Sequence, residues 1–473
     1  MFKILYIILT LLKITKLKLL FAHTHFRHGA RGSSRGGFSG LGKDYLGINW
    51  ETSGELTNIG MRGTYLLGYY TKMKYKNFLS EKYDPREILI YSTHIKRAIH
   101  SGYSYVNGLY PPLNKENYLN ENLINNSYPP GIINNDLIKE NLRLGNFALD
   151  KGLNVIPIKI FNIKNHDFLL FDAPFLSDCQ CINEIRKIEI KNDKILNFTN
   201  YFKGKYSKNL ELFFKKENTD FKWEFLNIQD LCDNFVSDKT NGEDLSEFQK
   251  ITKINFTEFE KDCHDEFAIH FLHYQFSNKD ILFMSQTPIL KNLINYMKNR
   301  IYIEENNLND LNYSSPKLVV YSSHDSTMSG VMIWMKEIFG YKYVEPTFSS
   351  SLFLELHKKD NLNELKGNYE DYYIKFFAND EELITLNFKF FIEKAEEYLW
   401  SDKKIENFCN FNIVNIDIKI KKIKVYLFIL FGLVVLLILM IFCSRDILFY
   451  KREKINDEGK EMEDILIKKE NKE

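Results

Sequence analysis

The sequence predicts an α/β fold: a central mixed sheet flanked by helices, an inserted mostly helical cap, and one C-terminal transmembrane helix. Three observations predict it. Short apolar runs at Leu17–Phe26, Glu87–Thr93 and Leu318–Ser323 each lead into charged residues, the pattern of buried strands that deliver polar side chains at one sheet edge. Apolar residues at helical spacing lie between those runs. Near the other end, Val425–Cys443 holds no charge over the ~20 residues a spanning helix needs.

The elements follow in chain order. Residues 1–16 open with Lys3 and the apolar run Ile4–Leu12, the design of a signal peptide. The first strand needs residues from Leu17 onward, so cleavage is expected near Lys13–Lys16. Residues 17–125 form the first part of the core, with a helix through Leu56–Phe78 that spaces Ile59, Leu66, Leu67 and Tyr70 along one face. After Pro129-Pro130 the chain is rich in Lys, Asn and Glu and lacks comparable strands. Residues 126–271 therefore read as the helical cap. Residues 272–409 return to the core: a helix at Pro288–Met297, the third strand, a helix N-capped by Ser326-Thr327 and running to Phe339, then strands at Ser351–Leu356 and Tyr372–Phe377. The span at 425–443 precedes a cytosolic tail, 444–473.

Composition excludes some classes. Over 473 residues, 63 Lys and Arg nearly cancel 62 Asp and Glu, so no global field points to nucleic acid. With 44% apolar and 15% aromatic residues, the chain reads as a packed globule. Lysines flank both sides of the span, so the positive-inside rule is silent. The glycosylation sequons at Asn125, Asn197, Asn255 and Asn312 all precede it. With the signal peptide, they point to a single-pass type I chain whose body is lumenal or extracellular. Cys443 lies in the span; the other five cysteines allow at most two disulfides and leave one thiol, with the pairing open. His264, His270 and His273 near Cys263 have metal-like spacing, but read as helix residues, and no metal or cofactor is expected.

The chemistry gathers at the ends of the three strands. In Arg27-His28-Gly29-Ala30-Arg31, two guanidiniums flank an imidazole and offer donor forks suited to phosphate oxygens. Gly29 leaves room for an anion to approach. Arg97 follows the second strand and His324-Asp325 the third, completing an anion cage with one nucleophile-capable imidazole and one carboxyl.

These residues resemble the signatures of the histidine acid phosphatases, a branch of the phosphoglycerate-mutase-like superfamily. The Arg27–Arg31 core matches the first signature, and Leu56-Thr57-Asn58-Ile59-Gly60 is similar to the next helix start. Ser92–Arg97 through Gly108–Pro112 resembles the stretch with the third arginine, and Tyr321–Thr327 the C-terminal signature. The likeness covers most of 17–130 and 285–409, and is greatest to the membrane-anchored lysosomal and secreted prostatic types. It implies that His28 is the nucleophile that becomes phosphohistidine and that Asp325 is the proton donor. It also implies that Arg27, Arg31, Arg97 and His324 bind the phosphoryl oxygens. The implied substrates are small phosphomonoesters, the implied location a lysosomal, vacuolar or cell-surface membrane, and a homodimer is an expected assembly. An inositol polyphosphate phosphatase and a catalytically idle receptor of the same fold are the alternatives. The chain departs from the family pattern at Ser33, in place of proline, at His94 and Lys96, in place of acids, and at Ser351, in place of a cysteine.

Overall fold

A computed structural model describes residues 17–33, 54–111, 119–130, 134–153, 155–160, 179–216, 221–308, 315–359 and 369–409, with scattered positions beyond 425. The signal segment 1–16, the sequon Asn312 and most of the span 425–443 and tail 444–473 lie outside the described residues. The chain divides into two compact units, Met1–Asn410 and Phe411–Glu473. In the second, Tyr426, Phe428, Leu430, Phe431 and Val434 are helical and exposed. Among the described residues no helix is long and apolar enough to cross a membrane.

The first unit begins with β1 (Leu17–Arg27), α1 (Asn58–Lys74), β2 (Ile88–Ser92) and α2 (Lys96–Leu109). The cap follows: α3 (Asn135–Leu144), β3 (Lys159–Ile160), α4 (Gln180–Glu189), α5 (Asp193–Lys216), α6 (Phe225–Thr240), α7 (Ser246–Thr252) and α8 (Phe256–Ile269). The chain then returns through α9 (Lys279–Glu305), β4 (Leu318–Ser323), α10 (Asp325–Phe339), β5 (Ser351–Lys359), β6 (Tyr372–Ala378), β7 (Glu381–Asn387), α11 (Phe388–Glu396) and α12 (Asp402–Cys409).

The described strands form one mixed sheet in the order β3-β2-β4-β1-β5-β6-β7. Strands β3, β2, β4 and β1 run parallel, whereas β5, β6 and β7 form an antiparallel meander beside β1. Alternation along β1 splits its side chains between two faces. Ala22 and Phe26 face a core with Ile90, Tyr105 and Val320, where Phe26 stacks on Tyr105 of α2 at 4.8 Å. Phe21 faces the other way and stacks on Tyr296 of α9 at 6.1 Å. Helices thus cover both faces, as a largely parallel sheet requires.

The structure refines some of these expectations and corrects others. The cap is mostly helical, but β3 within it adds a short strand to β2. The helix placed at Pro288–Met297 runs from Lys279 to Glu305; buried Ile281, Leu282 and Met284 carry it across Pro288 despite the hydrogen bond that proline forfeits. The expected Ser326-Thr327 cap is a first helical turn instead: α10 starts at Asp325, with His324 at the N-cap. A third late strand, β7, follows the two expected. Among the described residues two disulfides form, Cys179–Cys409 and Cys232–Cys263, and buried Cys181 stays free, within the limit the five cysteines set. The metal-like spacing around Cys263 has other uses: Cys263 is disulfide-bonded, His264 pairs with Glu345, and buried His270 meets Gln275.

Candidate active site

Three parallel strands bring the charged motifs together. Because β4 lies between β2 and β1, the residues following all three emerge side by side at the carboxyl edge, where open α/β sheets bind ligands. The junction is hydrogen-bonded: His28 N donates to Ser323 O at 2.9 Å and Thr93 N to Ser322 O at 3.2 Å. Gly29 follows because nothing larger fits; a Cβ there would lie 2.2 Å from Gly60 O, at the start of α1. Arg97 comes from the first turn of α2 rather than from the strand end itself. The N-termini of α2 and α10 therefore both open at the site, adding partial positive charge for an anion.

His28 is 2% exposed, and its two ring nitrogens have distinct partners. Nδ1 lies 2.9 Å from Gly29 O and Nε2 3.0 Å from Arg97 Nε. A carbonyl accepts and Arg97 Nε–H donates, so the bonds require a proton on Nδ1 and a lone pair on Nε2. Burial first, then the charges of Arg97, His324, Arg27 and Arg31, hold the His28 pKa well below the imidazole range. His324 packs edge-on against His28 at 5.2 Å, and its Nε2 lies 2.9 Å from Thr93 Oγ1. Burial and Arg97 lower its pKa as well.

Arg27 and Arg31 each pair with one carboxylate. Arg27 Nη2 meets Asp325 Oδ2 at 2.6 Å, Nη1 donates to Pro346 O at 3.0 Å, and the guanidinium lies 4.2 Å from the Phe348 ring centre. Arg31 turns to the cap, where its Nη2 donates to both carboxylate oxygens of Asp233 on α6 at 2.8 Å. Nε of Arg27 and Nε of Arg31 are buried without a hydrogen-bond partner among the described residues. The structure thus brings Arg27, His28, Arg31, Arg97, His324 and Asp325 to one place.

Sequence reasoning missed what the other elements contribute. Phe348, which also lies 5.8 Å from the His28 ring, sits in a loop without any motif. Helix α6 and its C-cap residue Asn241 touch the first loop and the N-cap of α1: Ser33 Oγ donates to Asp238, Asn241 Nδ2 to Arg31 O, and Thr57 Oγ1 to Asn241. The departure at Ser33 therefore supplies a hydroxyl that binds the cap. Lys96 is exposed and meets Glu55 at 3.6 Å. Ser351 opens β5, its N–H donating to Asn379 Oδ1. Glu266 of α8 is 0% exposed, and neither carboxyl oxygen has a hydrogen-bond partner among the described residues. Burial, then Asp233, Glu345, Asp230 and Asp325, push its pKa well above the carboxyl range.

Several known proteins are similar to this chain in sequence. The lysosomal acid phosphatase of Xenopus laevis is 24% identical over 348 residues, 73% of this chain and 68% of that protein. Human prostatic acid phosphatase is 37% identical over a shorter stretch of 59 residues, 12% of this chain and 15% of its own. Among solved structures, a phytase from Hafnia alvei superposes with a TM-score of 0.49 at 10% identity, covering 84% of this chain and 99% of that one. The pattern of the histidine phosphatase superfamily (branch 2) matches residues 18–379, and the chain belongs to that family.

Proposed function

We infer that the chain is an acid phosphatase that hydrolyses phosphate monoesters through a phosphohistidine on His28. The observation that carries this reading is the His28 ring, with Nδ1–H tied to Gly29 O and the Nε2 lone pair facing Arg97 among three guanidiniums. A bound phosphoryl group would draw Arg97, Arg27 and Arg31 onto its oxygens, uncovering Nε2 for in-line attack. The N–P bond forms as the P–O ester bond breaks, and Asp325 gives its proton to the departing alkoxide. Water then attacks the phosphohistidine, returning a proton to Asp325 and releasing phosphate. Thr93 would hold the His324 ring so that it donates to a phosphoryl oxygen. The depressed pKa keeps His28 nucleophilic in acid.

The apolar run Val425–Cys443 and the signal-like residues 1–16 support a secretory-pathway protein held by one C-terminal span. The exposed sequon residues Asn197 and Asn255 support a lumenal body. A substrate panel on the detergent-solubilised full chain, from pH 4 to 8, tests the activity. Release of phosphate from aryl and alkyl monoesters, greatest in acid, is expected. Turnover of phytate alone would favour an inositol polyphosphate phosphatase, and no turnover of any ester would leave only a receptor.

A further inference from the structure

The cap contacts the site directly, through Asp233 of α6. We propose that Asp233 is a positioning residue that fixes the Arg31 guanidinium for phosphoryl binding, so that α6 of the cap forms part of the phosphate cage; this rests on the activity inferred above. Arg31 and Asp233 side chains are 7% and 15% exposed, and the contact is doubly bonded, with Nη2 donating to Oδ1 and Oδ2 at 2.8 Å each. Nη1 donates to Gly32 O at 3.1 Å. Those bonds occupy the far edge of the fork and leave Nε, which lacks a partner among the described residues. The arginine is also held at its main chain, because Asn241, the residue that caps the C-terminus of the same helix, donates to Arg31 O at 2.8 Å. One helix thus grips Arg31 at both ends. A long arginine otherwise loses rotamer entropy when it engages a ligand, and a partner that orders it beforehand removes that penalty. Asp233 also offsets the repulsion among Arg27, Arg31 and Arg97, which Asp325 offsets for Arg27 on the other side.

The test is a double-mutant cycle on the full chain, with inorganic phosphate as the competitive probe. Asp233→Ala should lower kcat/KM by about 5- to 100-fold and weaken inhibition by phosphate in parallel. Asp233→Asn keeps one acceptor oxygen and should recover part of the loss. In an Arg31→Ala background, Asp233→Ala should add less than about twofold, because the residue through which it acts is gone. An equal loss in both backgrounds, or wild-type kcat/KM and phosphate inhibition in a folded Asp233→Ala or Asp233→Asn variant, would overturn the proposal while leaving the phosphatase reading intact. Full turnover in His28→Ala would instead remove the reading on which it rests.

Discussion

The core sheet and the cap are built from contacts of opposite range. In the core, Ala22 pairs with Leu318 and Phe26 with Ser322, so residues from opposite ends of the body lie side by side. In the cap, the interior gathers between Ile195 and Cys263, where Phe235 meets Phe259 at 4.8 Å and Tyr206 meets Phe259 at 5.0 Å. A disulfide, Cys232–Cys263, closes that local cluster. The core can fix six side chains at one edge because its strands share a rigid hydrogen-bonded register. The cap reaches the same edge through a few polar bonds from α6. Chemistry should therefore depend on the core absolutely and on the cap by degree.

The largest effect should come from the core. His28→Ala should lower kcat by on the order of 10⁶-fold, the scale reached when another hydrolase loses its nucleophile. Acid-labile phosphate trapped on a different residue would reassign the nucleophile. Asp325→Asn should slow alkyl phosphates by about 10²- to 10⁴-fold and slow aryl phosphates with low-pKa phenols less. Equal losses in both classes would mean that another group donates the proton.

Two changes in the cap should be milder. Replacing Cys232 and Cys263 together by Ala should destabilise the cap by about 3 kcal/mol, a typical loop-closure contribution. Limited proteolysis should then cut the cap first while the core stays protected; simultaneous cleavage of both would show that they unfold as one unit. Glu266→Gln should have the smallest effect on turnover and change mainly the pH dependence of stability. The folded chain holds the Glu266 proton more tightly than the unfolded chain does. That contribution is complete below the ordinary carboxyl pKa and is lost as pH rises toward the raised value. The variant should flatten the decline in stability above pH 4.5 by up to about 1.4 kcal/mol per pH unit, measured as denaturant midpoints. An unchanged slope would remove Glu266 as its source. Burial depresses His25 to about 3 and holds His28 and His324 well below 6.5, so their penalty grows as pH falls. Opposing slopes should give the body a stability maximum in mild acid.

The strands that carry the motifs were legible because each is short, apolar and ends in charge; β4 occupies the very residues expected, Leu318–Ser323. Strand β7 was not, since Glu381–Asn387 is exposed or half-buried throughout and has no apolar run to mark it. The same limit applies at the site. Arg27, His28 and Arg31 are readable as one pentapeptide, whereas Asp233 lies 202 residues from the arginine it binds. Nothing in the local sequence of α6 signals that partnership. Only the folded chain, which brings α6 against Arg31, creates it.

The bond between Cys179 and Cys409 joins residues 230 positions apart, at the N-cap of α4 and the last residue of α12. Any single cut between those two cysteines would leave the pieces covalently attached. A molecule nicked in an exposed loop between them would thus still travel as one species on a non-reducing gel. Its fragments would separate only after reduction, so damage that seems absent under one condition would be plain under the other.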